Sequence, residues 1–472
     1  MKKNNFGLSI SQKDIYFESL MNSNSPQFNI GGAIILTDTD YHSIVESHKK
    51  VINSSDIFRV KFDLSENEPT QYFAQNADDG IEFLDFREAE KPDQEAIDFI
   101  QNIFYKPINL TDSKLHRSYL IQVEDKKFYY AGLMHHILID GFGFGVWAHN
   151  VVKGLQNAAI IEGECWKGIV EKNIESIKSK QHIKAIDYWD KKVTGAFEEA
   201  VDVDKICKQS TRFIFEVDDE LIAVMNTIKS KSGWSISQQL RAAFSVALSL
   251  RYDVDKLIVN EASHNRRTFN DKHKIGLFTG ESPLFVDLSK LATFDEVVKQ
   301  NMLAQKEKFK LKNIGQIEIR RIMREAGLHD NVSQFHFNYI KIDTLIDGNK
   351  NPVELIYFPH NHSQAPLKLN VWDQHNSKSI RLEIDCNNGA FSKVEIELFV
   401  KSLFDILFQV KENYQIPLSD INYMTSVEND MLSTIGNLQY DIDSDLSGNT
   451  ITKKLFALAQ EHPDDIALEY GT

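Results

Sequence analysis

The stretch "YYAGLMHHILIDGFGFG", residues 129–145, holds the residues on which both the fold and the chemistry of this chain depend. Its apolar run predicts a buried strand that leads into the adjacent His135 and His136, and an Asp140-Gly141 pair then opens a loop rich in Phe and Gly. Side chains along a strand alternate between the two faces of a sheet, so only one of the two histidines can face a given cleft. The pair is therefore a poor bidentate metal site, but it suits a catalytic histidine with a supporting neighbour.

The Asp140-Gly141 pair is typical of a turn, where glycine can adopt a positive φ. A carboxylate beside a buried strand needs a partner, because an isolated buried charge is costly. We expect an arginine elsewhere in the first part of the chain to supply it. Paired histidines near a strand end are also common as structural residues, so this stretch by itself leaves a structural and a catalytic interpretation open.

Composition limits the classes of protein to consider. The chain has 472 residues, of which 42% are hydrophobic, enough for two domains with cores of their own. Its net charge of −15 argues against a nucleic-acid binder, and no apolar run approaches the length of a membrane span. The N-terminus lacks a secretory signal, and the scattered Cys165, Cys207 and Cys386 indicate a reduced, cytoplasmic protein.

Helical and strand-like segments alternate along the chain, which predicts an α/β protein. The segments 29–37 and 118–137 are predicted as a strand and a β-hairpin, and 92–104 as a helix that starts at its proline. A Lys-rich helical stretch at about 171–192 precedes a second α/β block with seven predicted strands, among them 353–358. The two blocks predict two lobes.

Motifs of other enzyme classes do not occur in the sequence. There is no His-x-x-x-His or Cys-x-x-Cys, and "PHNH" (359–362) is a lone His-x-His, so no metal site is predicted. A P-loop and a Gly-x-Ser-x-Gly elbow are also missing.

The motif "HHILIDG" resembles the His-His-x-x-x-Asp-Gly signature of the condensation domains of nonribosomal peptide synthetases. Other parts of that family's pattern recur in order and extend the resemblance over about residues 6–435. They are "LSISQKDIYFESLMNSNSPQFNIGGAIIL" (8–36), "SSDIFRVKF" (54–62), "AIDYWDKKVTG" (185–195), "IGLFTGESPLFVDL" (275–288) and "FSKVEIELFVKSLFDIL" (391–407).

The resemblance implies an α/β fold of two chloramphenicol-acetyltransferase-like lobes that form a V-shaped pseudo-dimer, with His136 at the seam. The expected domains are an N-terminal lobe (1–175), a C-terminal lobe (176–435) and a linker (436–447). The tail, 448–472, is similar to the start of an adenylation domain and is too short to bind a nucleotide or to form a core.

Carried over to this sequence, the resemblance makes His136 the catalytic histidine and His135 its structural neighbour. Gly141 would keep the backbone close to the substrate. Asp140 would hold the loop by a salt bridge, and Arg59 occupies the position of its partner in the family's second motif.

The implied reaction is amide formation between a donor acyl thioester and the α-amine of an aminoacyl thioester on a downstream peptidyl carrier protein. His136 would act as a base or would position the amine, and the sequence leaves both open. The substrates would be carried on phosphopantetheine or on coenzyme A, with no cofactor bound by the chain itself. The remaining partners would be the rest of the synthetase module, including its adenylation domain.

Two features favour a starter domain, which acylates the first amino acid. The "GFGFG" loop departs from the continuation common in elongation domains, and Met1 lies about eight residues before the first motif. An elongation domain with a peptidyl donor is the main alternative. A silent fold that recruits partners is less favoured, because the signature is intact.

Two sets of side chains are expected near the substrates: Phe142 and Phe144 on the donor side, and Gln334, His336 and Asn338 on the polar face of a predicted strand. For the second set, an ordinary sheet strand with an aromatic core face is the alternative. An apolar lining favours a fatty or aryl acyl donor, because each buried methylene contributes about 0.8 kcal/mol.

Overall fold

The computed structural model divides the chain into two compact units, Met1–Tyr423 and Met424–Thr472. The residues it describes are 4–65, 68–111, 114–161, 163–193, 197, 200–207, 209–311, 314–328, 334–342, 345–346, 352–363, 365–374, 378–436 and 460–463. No helix within these ranges is both long and apolar enough to cross a membrane.

The helices of the first unit are α1 (Ile10–Met21), α2 (Tyr41–Ser54), α3 (Pro92–Phe104), α4 (Gly141–Leu155), α5 (Trp166–Ser176), α6 (Lys180–Lys192), α7 (Asp219–Ser232), α8 (Ile236–Tyr252), α9 (Phe269–His273), α10 (Phe294–Lys310), α11 (Gln316–Glu325) and α12 (Lys393–Glu412). Its strands are β1 (Asn29–Thr37), β2 (Val60–Asp63), β3 (Thr70–Phe73), β4 (Ile81–Asp85), β5 (His116–Glu124), β6 (Lys127–His135), β7 (Ser210–Glu216), β8 (Lys256–Ser263), β9 (Gly280–Asp287), β10 (Phe335–Ile342), β11 (Leu345–Ile346), β12 (Pro352–Val353), β13 (Leu355–Tyr357), β14 (Leu367–Gln374) and β15 (Ser379–Asn387).

The first lobe is built on a five-stranded sheet in the order β13-β1-β6-β5-β4. The predicted hairpin is confirmed as β5 and β6, and β6 pairs antiparallel with β1 from Asn29↔His135 to Thr37↔Lys127. Helices α3 and α4 cover opposite faces, since Phe104 and Phe144 lie against the adjacent Gly31 and Gly32 of β1. The end of β6, and with it the histidine pair, therefore lies in the middle of this sheet.

The edge strand β13 corrects one prediction. The segment 353–358 was expected among the strands of the second block, but β13 pairs antiparallel with β1, with Gly32 opposite Tyr357 and Ile34 opposite Leu355. A chain segment from the second half of the sequence thus completes the sheet of the first lobe. A three-residue strand carries too little periodicity to show which sheet it joins.

The second lobe is built on a six-stranded sheet in the order β7-β15-β14-β10-β8-β9. Apolar side chains of α7, α8, α10 and α12 form a single core with one face of this sheet. Trp189 of α6 and Ile322 of α11 form a smaller core with Ile258 on the other face. The prediction of two α/β lobes is confirmed.

Local signals explain several element boundaries. Helix α3 begins at Pro92, as predicted, and the Ser392 hydroxyl caps α12 in a reciprocal capping box with Glu395. Helix α1 begins in the same way, with the Ser9 hydroxyl accepting the N–H of Gln12 at 3.1 Å.

The second unit contains helix α13 (Ser426–Gly436). The predicted linker, 436–447, and the adenylation-like tail, 448–472, lie outside the described residues apart from 436 and 460–463. The predicted domain boundaries stay predictions.

Helix α1 of the first lobe is tied to α11 of the second by one carboxylate. Asp14 accepts the N–H groups of Gln316 at 2.9 Å and Ile317 at 3.1 Å, and so caps a helix whose own N-cap residue, Gly315, has no side chain to do so. Burial raises the pKa of Asp14 to about 6, against the lowering effect of the two N–H donors and of Arg320.

This raised pKa predicts a pH-dependent contribution of Asp14 to stability. The folded state binds the proton more tightly than the unfolded state, so stability is gained below the unfolded pKa and is lost as the pH rises through about 6. Asp14→Asn cannot titrate. We therefore expect the wild type to gain unfolding free energy relative to Asp14→Asn as the pH falls from about 7 to about 4. Urea unfolding of both proteins across this range measures the difference, and parallel curves would contradict the assignment.

Candidate active site

Strand β6 ends at His135, and His136 lies in the turn that follows. The His135 ring is buried and stacks on Phe28 with ring centroids 5.7 Å apart, and its Nδ1 accepts the N–H of Ile137 at 3.0 Å. Burial lowers the pKa of His135 to about 3, so the ring is neutral at physiological pH. His135 thus holds the turn in place from inside the sheet.

His136 is oriented by two hydrogen bonds. Its backbone N–H donates to the carbonyl of Phe28 at 2.7 Å, and its Nδ1 lies 2.8 Å from the carbonyl oxygen of Ile139. Since a carbonyl oxygen can only accept, Nδ1 carries the hydrogen, and in the neutral ring Nε2 carries the lone pair. Nε2 has no hydrogen-bond partner in the part of the chain that the structure describes, and the residue is half-buried. The turn therefore presents one basic nitrogen in a fixed tautomer.

Asp140 caps helix α4 and ties the turn to the second lobe. Its Oδ1 accepts the N–H of Gly143 at 2.6 Å and a guanidinium N–H of Arg266 at 2.8 Å. Its Oδ2 accepts the N–H groups of Phe278 at 2.9 Å and Thr279 at 3.0 Å, and also the Thr279 hydroxyl at 3.0 Å. The carboxylate is 1% exposed, so a fully buried charge is met by donors from a loop more than 120 residues away.

The predicted salt bridge between Asp140 and Arg59 is therefore wrong: the ion pair is with Arg266. The Arg59 guanidinium instead lies over the ring of Phe73, 5.3 Å from its centroid. The need for an arginine was correctly predicted, but its source was not, because the pairing depends on how the loop between β8 and β9 packs against the first lobe.

The Asp140 carboxylate stays ionised. Burial would raise the pKa of Asp140, but the charge and hydrogen bond of Arg266 and the N–H groups of Phe278 and Gly143 outweigh this effect and lower it. Asp140 is therefore a structural anion, and it cannot serve as a proton donor near neutral pH.

The glycines that follow Asp140 have different environments. Gly141 is the first residue of α4 and does not have the positive φ expected of it. A Cβ on Gly141 would meet no atom within 4 Å. A Cβ on Gly143, in contrast, would lie 2.9 Å from the carbonyl oxygen of Gly276 and 3.1 Å from Nη2 of Arg266. Packing therefore requires glycine at 143, while the space in front of 141 is open.

These environments predict opposite effects for two matched substitutions. Gly143→Ala should lower the unfolding free energy by about 1–3 kcal/mol, because the methyl group pushes against backbone and against the buried ion pair. Gly141→Ala should leave the melting temperature unchanged. If substrate occupies the open space at 141, as the family resemblance implies, that variant should lose turnover instead. Thermal melts and a product assay of both proteins measure this, and equal melting temperatures would contradict the packing assignment.

Charged side chains from α1, β9 and β10 extend the site, and two of them, Glu18 and Glu281, were not singled out in the sequence. His336 Nδ1 lies 3.6 Å from a carboxylate oxygen of Glu281, and its Nε2 lies 3.3 Å from the Asn260 amide. Burial raises the pKa of Glu18, on which the charges of Glu281, His336 and His136 also act. Charged groups of both lobes thus act on the Glu18 carboxyl.

Sequence signals for these two glutamates were available. Glu281 belongs to the "IGLFTGESPLFVDL" segment that carried part of the family resemblance. Ser11, Asp14 and Glu18 follow helical spacing along one side of α1. The Ser11 hydroxyl donates a hydrogen bond to the carbonyl of Phe278 in the second lobe, and the Asp14 carboxylate accepts one from the N–H of Gln316.

The structure separates the residues that were expected near the substrates. Phe142 is 43% exposed beside the site, but Phe144 is fully buried and stacks on Trp147, so it cannot line an open donor surface. Gln334 is also unavailable, since its amide bonds the backbone of residues 200 and 201. Asn338 bonds Asn370 and the N–H of Ala262 within the sheet. Of the second set, His336 alone lies in the charged cluster just described.

No group of three or more His, Cys, Asp or Glu side chains that could hold a metal ion occurs within the described ranges.

Sequence comparison places this architecture among known proteins. The Condensation domain model matches residues 2–433. Surfactin synthase subunit 2 of Bacillus subtilis (strain 168) is 21% identical over 99% of this chain, which spans 13% of that protein's length. Tyrocidine synthase 3 of Brevibacillus parabrevis is 21% identical over 98% of the chain, which spans 7% of its length. The chain thus spans a small part of the curated relatives that it matches.

Solved structures share the fold. A variant of the starter condensation domain of rhizomide synthetase RzmA, in complex with C8-CoA and Leu-SNAC, superposes with a TM-score of 0.78 at 17% identity, covering 89% of this chain and 97% of that one. The first condensation domain of the CDA synthetase gives a TM-score of 0.75 at 14% identity, with coverages of 89% and 99%.

Proposed function

The chain belongs to the condensation domain family, and from this premise we propose that it joins a donor acyl group to the α-amine of an acceptor amino acid through an amide bond. Both substrates are held as thioesters, the acceptor on the phosphopantetheine arm of a downstream carrier protein. The observation that carries the proposal is His136, whose Nδ1–H is held by the Ile139 carbonyl and whose Nε2 has no partner in the described part of the chain.

The reaction forms one bond and breaks another. The acceptor amine attacks the thioester carbonyl, the C–N bond forms, the C–S bond breaks, and the amine proton is transferred so that amide and thiol result. Nε2 of His136 is suited to accept that proton or to hold the amine by a hydrogen bond. An α-amine has a pKa of about 8, so part of it is already neutral at physiological pH, and positioning alone would accelerate the reaction.

The N-terminus of α4 supports the charge that develops on the carbonyl oxygen. The Asp140 side chain accepts the N–H of Gly143, and the backbone carbonyl of Asp140 accepts the N–H of Phe144 at 2.9 Å. Within the described ranges, the first-turn N–H groups of Gly141 and Phe142 donate no other hydrogen bond and are left for an anion at the positive end of the helix. This arrangement suits the oxyanion of a tetrahedral intermediate.

We further propose that the donor is a fatty or aryl acyl thioester, as in a starter domain. Two observations support this proposal: the exposed Phe142 ring next to the site, and the fold shared with a starter domain crystallised with C8-CoA. The donor would then arrive on coenzyme A or on a separate carrier protein, and the rest of the module would supply the acceptor. A cytoplasmic location remains part of the proposal.

An assay in which donors compete tests both the proposed amide formation and the proposed preference for an acyl donor. The protein is given an acceptor carrier loaded with an amino acid, together with acyl-coenzyme A, acyl-carrier and aminoacyl-carrier donors, and the products are identified by mass spectrometry. We expect an N-acylated aminoacyl product. Use of aminoacyl or peptidyl donors alone would indicate an elongation domain. A folded protein that forms no amide with any donor would indicate a silent fold that recruits partners.

A further inference from the structure

Glu281 is a carboxylate beside the active-site turn that proton transfer by His136 does not use. It is the second residue of β9. Two positions earlier, Thr279 donates its N–H and its hydroxyl to Oδ2 of Asp140, both at 3.0 Å, and Asp140 lies four residues after His136. The segment that leads into β9 is thus fixed to the turn that carries the histidine.

One oxygen of the Glu281 carboxylate faces a histidine, and the other is open. Nδ1 of His336 lies 3.6 Å from Oε2 of Glu281. The Asn260 amide nitrogen, 3.3 Å from Nε2 of His336, donates to that nitrogen, so in the neutral ring Nδ1 carries the hydrogen and directs it at the carboxylate. Oε1 has no hydrogen-bond or ion-pair partner among the described residues, and the side chain is 27% exposed. Oε1 is therefore available to a ligand.

A cavity of about 290 Å³ is lined by Glu281 and by the ends of β8 and α10. Its other charged lining residues, Glu261 and Lys308, pair with each other at 3.1 Å. Arg241 also binds the Glu261 carboxylate, which thus meets two cations. Glu281, in contrast, forms no ion pair with a lysine or arginine within the described ranges. It is the carboxylate of this cavity that can meet a cationic group of a ligand.

The Glu281 carboxylate stays ionised. Burial would raise the pKa of Glu281, but the charge of His336, and then those of Lys368 and Arg320, outweigh this effect and lower it. A carboxylate with a lowered pKa is a poor proton acceptor near neutral pH. What Glu281 contributes to the site is therefore its negative charge.

Glu18 of α1 relates this charge to His136. The Glu18 carboxyl, whose pKa is raised by burial, is acted on by the charges of both Glu281 and His136. Helix α1 also contacts the segment before β9 directly, since the Ser11 hydroxyl donates to the carbonyl of Phe278 at 3.3 Å. A substrate amine that reaches Nε2 of His136 therefore lies in the field of the Glu281 charge.

We propose that the Glu281 carboxylate stabilises the positive charge on the amine nitrogen in the tetrahedral intermediate. This inference rests on the proposed function, in which an amine attacks a thioester. As the C–N bond forms, the carbonyl electron pair moves to oxygen, so the nitrogen becomes positive and the oxygen negative. The N-terminus of α4 faces the oxyanion, and Glu281 supplies the opposite charge for the nitrogen.

Glu281 takes no proton in this sequence. The positive nitrogen loses one proton to Nε2 of His136, the oxygen electron pair re-forms the carbonyl, the C–S bond breaks, and the thiolate takes the proton from His136. The attacking amine is neutral, and a hydrogen bond from nitrogen to a carboxylate is stronger once the nitrogen is charged. The interaction therefore grows after the amine has bound, and it accelerates the chemical step more than it tightens binding.

The substitution Glu281→Gln tests the role of the charge at nearly constant size. We expect kcat for amide formation to fall about 10- to 100-fold, while the KM for the aminoacyl carrier changes less than about twofold. The matched control is Glu82→Gln, which neutralises an exposed carboxylate of β4 and should keep wild-type kinetics. Thermal melts show that each variant is folded. An unchanged kcat, or a raised KM at unchanged kcat, would overturn the proposal.

An α-hydroxyacyl acceptor separates this role from a structural one. Its oxygen forms an ester and loses its proton as the bond forms, so no lasting positive centre arises, although His136 is still needed. We expect Glu281→Gln to lower ester formation less than about twofold, measured in single turnovers by mass spectrometry. An equal loss with both acceptors would indicate a structural role and overturn the proposal. A folded wild type that forms no amide would refute the proposed function, whereas a wild type and a Glu281→Gln variant that are equally active would refute this inference alone.

Discussion

Replacement of His136 by alanine should lower the rate of amide formation by about 10²–10⁴ while leaving the protein folded. The reason is geometric: the His136 ring is half-buried in a turn, and its one unpartnered nitrogen in the described part of the chain is Nε2. Loss of that nitrogen removes the group placed to accept a proton or to hold the amine. Product formation with a loaded acceptor, alongside thermal melts, measures both parts of the expectation.

Two further variants separate chemistry from support. His136→Asn keeps a donor near the position of Nδ1 for the Ile139 carbonyl but has no counterpart of Nε2, so it should be as inactive as alanine. His135→Ala should instead lower the unfolding free energy by about 1–3 kcal/mol, because the N–H of Ile137 loses its buried acceptor. Wild-type turnover in His136→Ala would end the catalytic assignment.

Replacement of Asp140 by alanine should lower the unfolding free energy by about 3–5 kcal/mol. The substitution leaves the buried Arg266 guanidinium without its counter-ion and removes the acceptor of the N–H groups of Phe278 and Thr279. Because these N–H groups belong to the second lobe, the connection between the lobes is weakened as well. Denaturant unfolding of the purified variant measures the loss.

The assignment of the partner is tested by a double-mutant cycle. Asp140→Ala and Arg266→Ala together should cost less than the sum of the single variants, whereas Asp140→Ala and Arg59→Ala should be additive. A coupling between Asp140 and Arg59 would contradict the structure. A variant Asp140→Ala that melts like the wild type and loses only turnover would show that Asp140 acts in the chemistry.

The same ion pair predicts the response to acid. The folded-state pKa of Asp140 is lowered, so its contribution to stability is present above the ordinary carboxyl pKa of about 4 and is lost as the pH falls below it. The stability gap between the wild type and Asp140→Ala should therefore close in acid. For Asp14, whose pKa is raised, the contribution to stability instead increases as the pH falls.

Several features of this protein were determined by the sequence alone, because they depend on neighbours along the chain. The apolar run before His135 predicted β6 and the hairpin that contains it, and Pro92 marked the start of α3. The alternation of side chains on a strand also required different roles for His135 and His136. In the structure His135 is buried, while His136 is half-buried in the turn just past the strand end.

The tertiary structure alone decided which distant groups meet. Desolvation required a cation for Asp140, and any arginine that folding brought near would satisfy it, so local spacing could not choose between Arg59 and Arg266. Equally, the sequence placed Phe142 and Phe144 together on the donor side without showing that α4 buries Phe144 against the first sheet. Strand β13 likewise joins the sheet of the first lobe because of tertiary packing, which its own three residues do not reveal. Periodicity specifies which face of an element is apolar, but the partner of that face is set by packing between segments far apart in the chain.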